Sequence, residues 1–432
     1  MYICDNISRV GANLKFAGQD VCRLAEEYGT PLYLMDENKI REKCRIYLDS
    51  FRKHFPEGSL PLYASKAACF QHIYRIMADL GMGIDVVSSG EIYTALRAGF
   101  PAGNIFFHGN NKTPQDIVYA LDWKIGYFVV DNMTELLLVQ KEAEKRGVKQ
   151  KILIRITPGI DPHTYAEVNT GMVDSKFGNA IETGQAEEIV TAALSCSNLE
   201  LTGYHCHVGS QVFSEDVFER AAEVMLTFAS DMRRKPGAEC RMLDLGGGFG
   251  VPYAEGSASI DIEEKIAAVS ERIRTVCRDL SMEIPRIFME PGRSIVADAG
   301  MTVYTCGNVK KIPGYKNYVS VDGGMTDNPR YALYRSAYTC YAAGRMNEEC
   351  TMKADIVGRC CESGDIIQPD VMVPGSMEAG DIVAVCTTGA YNYSMASNYN
   401  RIGRAPVVML KDGFNYVAVK RESFEDMCRN EI

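Results

Sequence analysis

The region from residue 60 to residue 293 alternates short apolar runs with longer stretches whose apolar residues recur at helical spacing. Each apolar run ends in a polar or glycine-containing turn, which is typical of consecutive strand and helix units. The predicted strands cover residues 60–63, 83–87, 104–107, 126–130, 151–156, 201–207, 241–245 and 286–289. The predicted helices include residues 89–98, 114–121, 134–146, 186–194, 216–232 and 262–279. These eight strands predict an α/β fold, a parallel (β/α)8 barrel of the TIM type.

The pattern changes after about residue 300, where short β-like runs alternate with glycine and proline turns. These runs cover residues 301–306, 317–321, 351–357, 381–387, 407–410 and 415–419. Asp412-Gly413 lies between the last two runs and predicts a tight hairpin turn. We therefore expect the barrel to occupy residues 33–299, and residues 1–32 and 300–432 to form an all-β domain of barrel or sandwich type.

Polar residues follow the apolar runs at the point where each predicted barrel strand ends. In a parallel barrel the carboxyl ends of the strands meet on one face, and that face carries the chemistry. The residues expected on this face are Lys66, Asp85, His108, Asp131, Arg155, His207, the glycines 246–248 and Glu290. Asp131 is also a candidate N-cap for the helix predicted from residue 134.

Lys66 is the candidate nucleophile of this group. It follows the apolar strand that ends at Tyr63, and we expect its amine to be partly desolvated there. Loss of hydration favours the neutral amine, which can form a Schiff base with an aldehyde. The alternative is a lysine that merely extends from the strand end into solvent.

Two further motifs are suited to an anion. The run 246–250 places glycines at a strand end, where backbone N–H groups can approach a phosphate closely. Glu290-Pro291-Gly292-Arg293 ends the eighth run, and Arg293 offers a guanidinium for a phosphate or a carboxylate. The alternatives are a tight turn and a structural Glu–Arg ion pair. Because the loops after the last two strands of such barrels commonly form a phosphate site, the two motifs support each other.

Three other groups are weaker candidates, because each also has a common structural explanation. Strand alternation places His205 and His207 on the same side, where His207 could stack on a flat ring and Ser210 could bind a phosphate. Cys361 lies beside Glu362 and is a candidate acid, although buried inert cysteines are commoner. The third group adds a cation and two phenols, and consists of Arg330, Tyr334 and Tyr391.

Composition and charge narrow the class of protein. The net charge of −10 argues against a nucleic-acid partner. No apolar run approaches the ~20 residues of a membrane span, and the N-terminal residues show no export signal. The 15 cysteines form no CxxC pair, which indicates reduced thiols and a cytoplasmic protein. His205-Cys206-His207 is too closely spaced for a usual zinc site, so we expect no metal.

Several of these segments recur in the same order in a known family. They are residues 63–67, 83–88, 174–178, 205–211, 246–250, 290–296, 361–365 and 389–391. On this ordered set, nearly the whole chain resembles the fold-type III pyridoxal-phosphate-dependent decarboxylases, and among them the diaminopimelate decarboxylase family. One departure is Ala68, where many members carry asparagine.

The resemblance implies pyridoxal 5'-phosphate as the cofactor. Lys66 would bind it as a Schiff base, Glu290 would keep its ring nitrogen protonated, and His207 would stack on its ring. The other cofactor-binding residues would be Asp85, Ser210, Gly247, Gly248, Gly292, Arg293 and Tyr391. In the family, a cysteine at the position of Cys361 comes from the second subunit and protonates the carbanion. The active site would then form only in a homodimer.

The resemblance also implies the reaction, decarboxylation of meso-2,6-diaminopimelate to L-lysine and CO2. The distal carboxylate of this amino acid requires a cation, and its distal ammonium requires an anion. Asp322 and Asp327 keep open a decarboxylase of ornithine, arginine or carboxynorspermidine, and a catalytically silent homologue is a third alternative. The presence of both Lys66 and Cys361 argues against a silent homologue. The expected substrate-binding residues are Arg293, Arg330, Tyr334, Glu362 and Tyr391.

Overall fold

The computed structural model describes residues 2–160, 172–214, 216–254 and 256–432. The chain divides into two compact units. Lys43–Gly250 and Ser259–Gly292 form a barrel unit. Met1–Glu42, Val251–Ala258 and Arg293–Ile432 form a β-rich unit. Across the part of the chain that the structure describes, no helix is long and apolar enough to cross a membrane.

Eight parallel strands close the barrel, and all eight predicted strands are present. The first strand pairs with both the second and the eighth, and the fourth pairs with the fifth, so the ring has no edge. The short strand Asn179–Ala180 pairs with the fifth strand outside the ring. The ring strands are Leu60–Ala64, Gly83–Val86, Ile105–Phe107, Tyr127–Val130, Gln150–Thr157, Leu199–His205, Met242–Asp244 and Arg286–Met289.

A layer of large apolar side chains fills the barrel interior. Its members come from six different strands, and all are almost completely buried; they are Leu62, Phe106, Val129, Leu153, Met242 and Phe288. Phe106 stacks on Tyr127 with ring centroids 4.4 Å apart. Because this layer closes the interior, polar groups collect at the strand ends, where a parallel barrel has its site.

Helices follow the barrel strands, and the six predicted helices are present. The sequence also forms two helices that were not among them, Glu37–His54 and Gln71–Leu80. Glu37–His54 buries Ile40, Cys44 and Tyr47, which recur at helical spacing and could have been recognised. The remaining barrel helices are Ser89–Arg97, Pro114–Asp122, Met133–Arg146, Gln185–Leu194, Val217–Met232 and Ile262–Asp279.

The helix after the fourth strand has a different cap from the predicted one. It begins at Met133, and its N-cap is Asn132, whose side-chain oxygen accepts the Glu135 N–H at 3.0 Å. The prediction that Asp131 caps this helix is wrong. Asp131 is buried instead, and its Oδ1 accepts the Gly178 N–H at 3.0 Å.

The β-rich unit contains a three-stranded antiparallel sheet and a larger mixed sheet. The small sheet consists of Ile7–Val10, Asn13–Phe16 and Gln19–Asp20. The large sheet has the order Ile366–Pro374, Cys350–Val357, Lys316–Val321, Gly300–Ile312, Leu32–Asp36, Val407–Lys411 and Phe414–Val419. Ile382–Cys386 pairs with Gly300–Ile312 and with Cys340–Ala342. Short helices complete the unit at Val21–Tyr28, Arg293–Val296, Arg330–Tyr334 and Phe424–Cys428.

The six strands predicted after residue 300 are present, as is the hairpin at Asp412-Gly413. Both turn residues have positive φ, 51° and 81°, as a type I′ turn requires. Ile366–Pro374 was not among the predicted strands, and it contains Pro369 and Pro374. It lies at the edge of its sheet, where proline is tolerated.

Candidate active site

Lys66 lies in a single 3-10 turn, Ser65–Ala67, directly after the first barrel strand. Tyr63 fixes this turn, because its hydroxyl donates to the carbonyl oxygen of Ala68 at 2.9 Å. The strand is buried up to Ala64, but Lys66 itself is exposed. The side chain of Lys66 is thus accessible to a ligand. The expected partial desolvation of its amine stays a prediction.

Among the buried carboxyl groups at the ends of barrel strands are three that burial perturbs: Asp85, Asp244 and Glu290. Burial raises the pKa of all three, and repulsion by Glu290 contributes to the rise at Asp85 and Asp244. The pKa of Asp85 rises to about 8, even though Lys66 opposes the shift. A cation bound beside these groups would favour their ionised forms, so this end of the barrel is suited to a protonated ring nitrogen.

Two buried histidines flank Glu290. Nε2 of His108 and Nε2 of His205 each lie 3.1 Å from Glu290 Oε1, but neither contact has the geometry of a hydrogen bond. Burial lowers the pKa of both histidines well below the ordinary value, so both rings are neutral near pH 7. The two rings meet edge to face, 4.8 Å apart. They enclose one oxygen of the Glu290 carboxyl group.

These residues form a group that the sequence spacing does not predict. His108, His205, Asp244 and Glu290 each place one potential ligand atom within 4.8 Å of the others. They lie in or directly after four different strands, so only the closed ring brings them together. Imidazole and carboxylate are also metal ligands, and the expectation that the protein holds no metal stays a prediction.

His207 contacts the glycine-rich segment. Its Nδ1 accepts the Gly247 N–H at 3.1 Å, so the proton of the neutral ring lies on Nε2. Burial lowers the pKa of His207 well below its ordinary value. A Cβ atom at Gly247 would lie 2.1 Å from the Glu290 carbonyl oxygen, so only glycine fits. Gly248 has a φ of 115°, which also favours glycine.

The segment 174–178 packs onto the fifth barrel strand. The Arg155 guanidinium lies 4.4 Å from the ring centroid of Phe177, and Thr157 Oγ1 donates to the Phe177 carbonyl oxygen at 2.8 Å. Gly178 donates to Asp131, which ends the fourth strand. The motif therefore adds Phe177 to the polar end of the barrel.

The eighth strand end packs against the first. The Ala64 N–H donates to the Pro291 carbonyl oxygen at 3.1 Å. A Cβ atom at Gly292 would lie 2.8 Å from the Ala64 Cβ, so a side chain there would disturb the strand that precedes Lys66. Ser210 lies in the turn after the sixth strand.

The β-rich unit brings together four of its predicted site residues. Arg293 and Arg330 are both 6% exposed, and their guanidinium carbons lie 4.6 and 5.4 Å from the ring centroid of Tyr391. The guanidinium carbon of Arg330 also lies 5.9 Å from the ring centroid of Tyr334. Tyr391 has a φ of 70°, which is strained for a residue other than glycine. Such strain is common at functional sites.

Arg330 has no carboxylate partner among the described residues. Its Nη1 donates to the hydroxyl oxygens of Tyr253 at 3.0 Å and Tyr338 at 3.4 Å, and its Nε has no hydrogen-bond partner in the described part of the chain. Burial opposes its charge, but the phenols of Tyr338 and Tyr253 raise its pKa. A buried cation without a counter-ion is costly, so this arrangement indicates an anion site. The sequence gives no signal for Tyr253 or Tyr338.

Cys361 and Glu362 are exposed on the turn between the strands Cys350–Val357 and Ile366–Pro374. The buried carboxylate of Asp365 holds this turn, and its Oδ2 accepts the Cys360 N–H at 2.7 Å. A Cβ atom at Gly358 would lie 2.2 Å from the same oxygen. Asp365 and Gly358 therefore define a turn that presents the thiol and the carboxylate to solvent.

The two carboxylates that kept the ornithine-type alternative open have structural partners. Asp327 accepts the Tyr304 hydroxyl at 2.5 Å and the Gly324 N–H at 3.0 Å. Asp322 accepts the Thr305 N–H at 2.9 Å. Both groups accept hydrogen bonds from within the β-rich unit, which weakens the argument for a distal ammonium site there.

Residues 37–297 match the family model described as "Pyridoxal-dependent decarboxylase, pyridoxal binding domain". This match covers more than half of the chain, and the chain belongs to the pyridoxal-dependent decarboxylases. Among its relatives, the diaminopimelate decarboxylase of Bacillus subtilis (strain 168) is 42% identical over 423 residues, which are 97% of this chain and 95% of that protein. The predicted family is thereby confirmed.

Solved structures agree with this assignment. The diaminopimelate decarboxylase from M. jannaschii in co-complex with L-lysine has a TM-score of 0.93 at 32% identity, and the alignment covers 100% of this chain and 99% of that one. The enzyme from Helicobacter pylori complexed with L-lysine has a TM-score of 0.85 at 33% identity, over 95% and 98% of the two chains. The predicted barrel with a β-rich domain is confirmed.

The barrel residues fit pyridoxal phosphate, the cofactor of this family. Lys66 offers an accessible amine to its aldehyde. Asp85 and Glu290 are buried carboxyl groups that a protonated ring nitrogen would stabilise in their ionised forms. The partly exposed, neutral ring of His207 lies beside the glycine-rich segment and offers a flat surface.

Proposed function

We propose that this chain decarboxylates meso-2,6-diaminopimelate to L-lysine and CO2, the last step of lysine biosynthesis. Arg330 carries the substrate assignment, because a buried guanidinium without a carboxylate partner suits a substrate with a second carboxylate. The names of the relatives support it, and two similar structures contain L-lysine.

Pyridoxal 5'-phosphate, when bound, supplies an electron sink for the pair of electrons that CO2 leaves behind. Lys66 would hold its aldehyde, and Glu290 would hold the proton on its ring nitrogen, with Asp85 adding negative charge nearby. His207 would pack on the ring as a neutral imidazole whose Nδ1 is already occupied by Gly247. The residues proposed to bind the rest of the cofactor are Ser210, Gly247, Gly248, Gly292, Arg293 and Tyr391.

The residues proposed to bind the substrate lie in the β-rich unit. Arg330 would bind the distal carboxylate, with Tyr334 and Tyr391 beside it and Arg293 as a second cation. Glu362 would bind the distal ammonium. This division gives each end of the substrate a group of opposite charge.

We also propose that two chains share the active site as a homodimer. Cys361 and Glu362 are exposed on a turn that Asp365 holds in place, which suits residues that act on a second subunit. Cys361 would then donate the proton that replaces CO2. In this proposal the barrel domain spans 33–299, and residues 1–32 and 300–432 complete the partner's site. The described cysteines are all free, which supports a cytoplasmic location.

Substrate preference tests the proposed function. CO2 release should be measured from meso-2,6-diaminopimelate, ornithine, arginine and carboxynorspermidine at equal concentrations of cofactor-loaded protein. We expect kcat/KM to be highest for diaminopimelate. Faster turnover of ornithine would contradict the substrate assignment, and no turnover of any of the four would favour a silent homologue.

Arg330→Ala tests the distal carboxylate contact. Loss of a buried charge-assisted pair costs on the order of 2–5 kcal/mol, so kcat/KM for diaminopimelate should fall by a factor of about 30 or more. Cofactor binding, followed by absorbance, should change much less. Arg330→Lys keeps the charge and should recover part of the loss. Native kinetics in Arg330→Ala would place the distal carboxylate elsewhere.

A further inference from the structure

Tyr253 lies between the two buried arginines of the β-rich unit. Its hydroxyl oxygen accepts Nη1 of Arg293 at 2.8 Å and Nη1 of Arg330 at 3.0 Å. The tyrosine is only 9% exposed, and the two guanidinium carbons lie 5.8 and 5.4 Å from its ring centroid. Two cations therefore converge on a single neutral oxygen atom.

The hydrogen-bonding capacity of this phenol is only partly used. A tyrosine hydroxyl accepts through its lone pairs and donates one hydrogen. Both arginines occupy the accepting side, and among the described residues the hydroxyl has no acceptor for its own hydrogen. A buried donor without an acceptor costs free energy, so the arrangement is complete only when an acceptor binds.

The surroundings define that acceptor as an anion. Among the residues that the structure describes, Arg330 has no carboxylate partner, and its buried Nε has no hydrogen-bond partner. The other polar groups beside it are the hydroxyl of Tyr338 and the side chain of Asn392, whose Oδ1 also has no partner. Neither carries a negative charge in its ordinary protonation state. An oxyanion would satisfy the guanidinium groups and the phenol together.

We propose that Tyr253 is an anion-binding residue whose O–H donates to an oxygen of the oxyanion that Arg293 and Arg330 bind. The inference rests on the proposed function, in which Arg330 binds the distal carboxylate and Arg293 serves both that carboxylate and the cofactor. The oxyanion that the two arginines share is therefore a substrate carboxylate or the cofactor phosphate. The two arginines orient the phenol by donating to it, and the phenol holds their positive charges at fixed positions before the anion arrives. Tyr253 is thus a direct ligand of the anion.

Tyr253→Phe tests this contact, because it removes the hydroxyl and keeps the ring. The dissociation constant of pyridoxal phosphate should be measured by absorbance titration, and KM should be measured for diaminopimelate. Loss of a hydrogen bond to a charged group predicts about a ten-fold or larger rise in one of them. A rise in the dissociation constant identifies the phosphate, and a rise in KM identifies a carboxylate. Changes below about two-fold in both would overturn the proposal.

Tyr33→Phe is the matched control for loss of a buried hydroxyl. Tyr33 lies in the same unit, and its hydroxyl donates to the Asp327 carbonyl oxygen at 2.6 Å. It should lower the melting temperature while leaving both constants near their wild-type values. If Tyr253→Phe changed only the melting temperature, as this control does, its hydroxyl would be structural and the proposal would fail.

The pH dependence of anion binding tests whether the Tyr253 hydroxyl donates to the anion or only holds the two arginines in place. Although burial opposes ionisation, Arg293 and Arg330 lower the pKa of the Tyr253 phenol. A phenolate cannot donate, so the advantage of wild type over Tyr253→Phe should shrink as pH rises from about 7 to about 10. An advantage that stays constant over this range would contradict direct donation.

Inorganic phosphate provides a readout that does not depend on turnover. Wild-type protein without cofactor should be stabilised by inorganic phosphate in a thermal shift measurement, and Tyr253→Phe should be stabilised less. Equal stabilisation of both proteins would count against the contact. If wild type decarboxylates none of the four amino acids but shows this difference, the proposed function fails while the anion contact stands.

Discussion

At the scale of single residues, the buried ion pair of Lys112 and Glu135 is a site where substitution should be poorly tolerated. The ammonium of Lys112 is fully buried and donates to Glu135 at 2.7 Å, to the Val129 carbonyl oxygen at 2.8 Å and to the Gly109 carbonyl oxygen at 3.1 Å. The pair connects the turn after the third strand, which carries His108, to the helix after the fourth. Lys112 therefore supports the polar end of the barrel without belonging to it.

Lys112→Met should strongly destabilise the barrel unit. It leaves the Glu135 carboxylate buried without its partner, which costs about 3–5 kcal/mol. Urea unfolding followed by circular dichroism measures the loss, and Lys112→Met/Glu135→Gln should recover part of it. Arg52→Ala is the control, since the Arg52–Asp49 pair is 71% exposed on both sides and should matter little. Equal losses in both single variants would contradict this account.

Asp327 predicts a dependence of stability on pH. Burial raises its pKa to about 7, against about 3.9 in an unfolded chain. The folded state therefore binds the proton of Asp327 more tightly than the unfolded state does. The contribution of Asp327 to the free energy of unfolding falls as pH rises from about 4 to about 7, by on the order of 1 kcal/mol per pH unit. Asp327→Asn should remove this slope in denaturant titrations at several pH values. An unchanged slope would show that Asp327 ionises normally.

At the scale of elements, local pattern predicts the strands of the barrel but not every contact at their ends. The apolar runs locate all eight strands because each is short, buried and followed by a turn. The pairing of His108 and His205 with Glu290 depends on the order of strands around the ring, which no local pattern contains. The contact of Tyr253 with Arg293 and Arg330 cannot be predicted locally either, because both arginines are distant from it in sequence.

The N-cap of the helix after the fourth strand also depends on a tertiary contact. Asp131 and Asn132 are both good capping residues, and the sequence does not distinguish them. The tertiary contact of Asp131 with Gly178 decides the outcome, and the cap falls to Asn132. Similarly, the exposure of Lys66 depends on a 3-10 turn that the apolar run before it does not predict.

Asn132 has two separable roles at the start of its helix. Its side-chain oxygen caps the helix, and its Nδ2 donates to the Asn110 carbonyl oxygen at 3.1 Å in the turn after the third strand. Asn132→Ser keeps the cap alone, whereas Asn132→Ala loses both. We expect Asn132→Ala to cost about 1 kcal/mol more than Asn132→Ser in urea unfolding. Equal stabilities would show that the cap contributes nothing.

At the scale of the whole molecule, the proposed sharing of the active site between two chains makes a prediction about mixtures of variants. Lys66→Ala lacks the residue proposed to bind the cofactor, and Cys361→Ala lacks the proposed proton donor, so each variant alone should be inactive. If two chains share each site, a mixed dimer has one intact site. Unfolding and refolding the two variants together should restore activity, to about a quarter of the wild-type level under random pairing. No recovery in mixed dimers verified by mass spectrometry would contradict sharing.

The proposed covalent link between the cofactor aldehyde and Nζ of Lys66 is the step on which the proposed function rests most directly. Purified protein should be loaded with pyridoxal phosphate, reduced with borohydride, digested and analysed by peptide mass spectrometry. We predict one labelled peptide, with the added mass on Lys66, and no label at that position after prior exposure to hydroxylamine. A label on another lysine, or an unlabelled protein that still decarboxylates its substrate, would contradict the account.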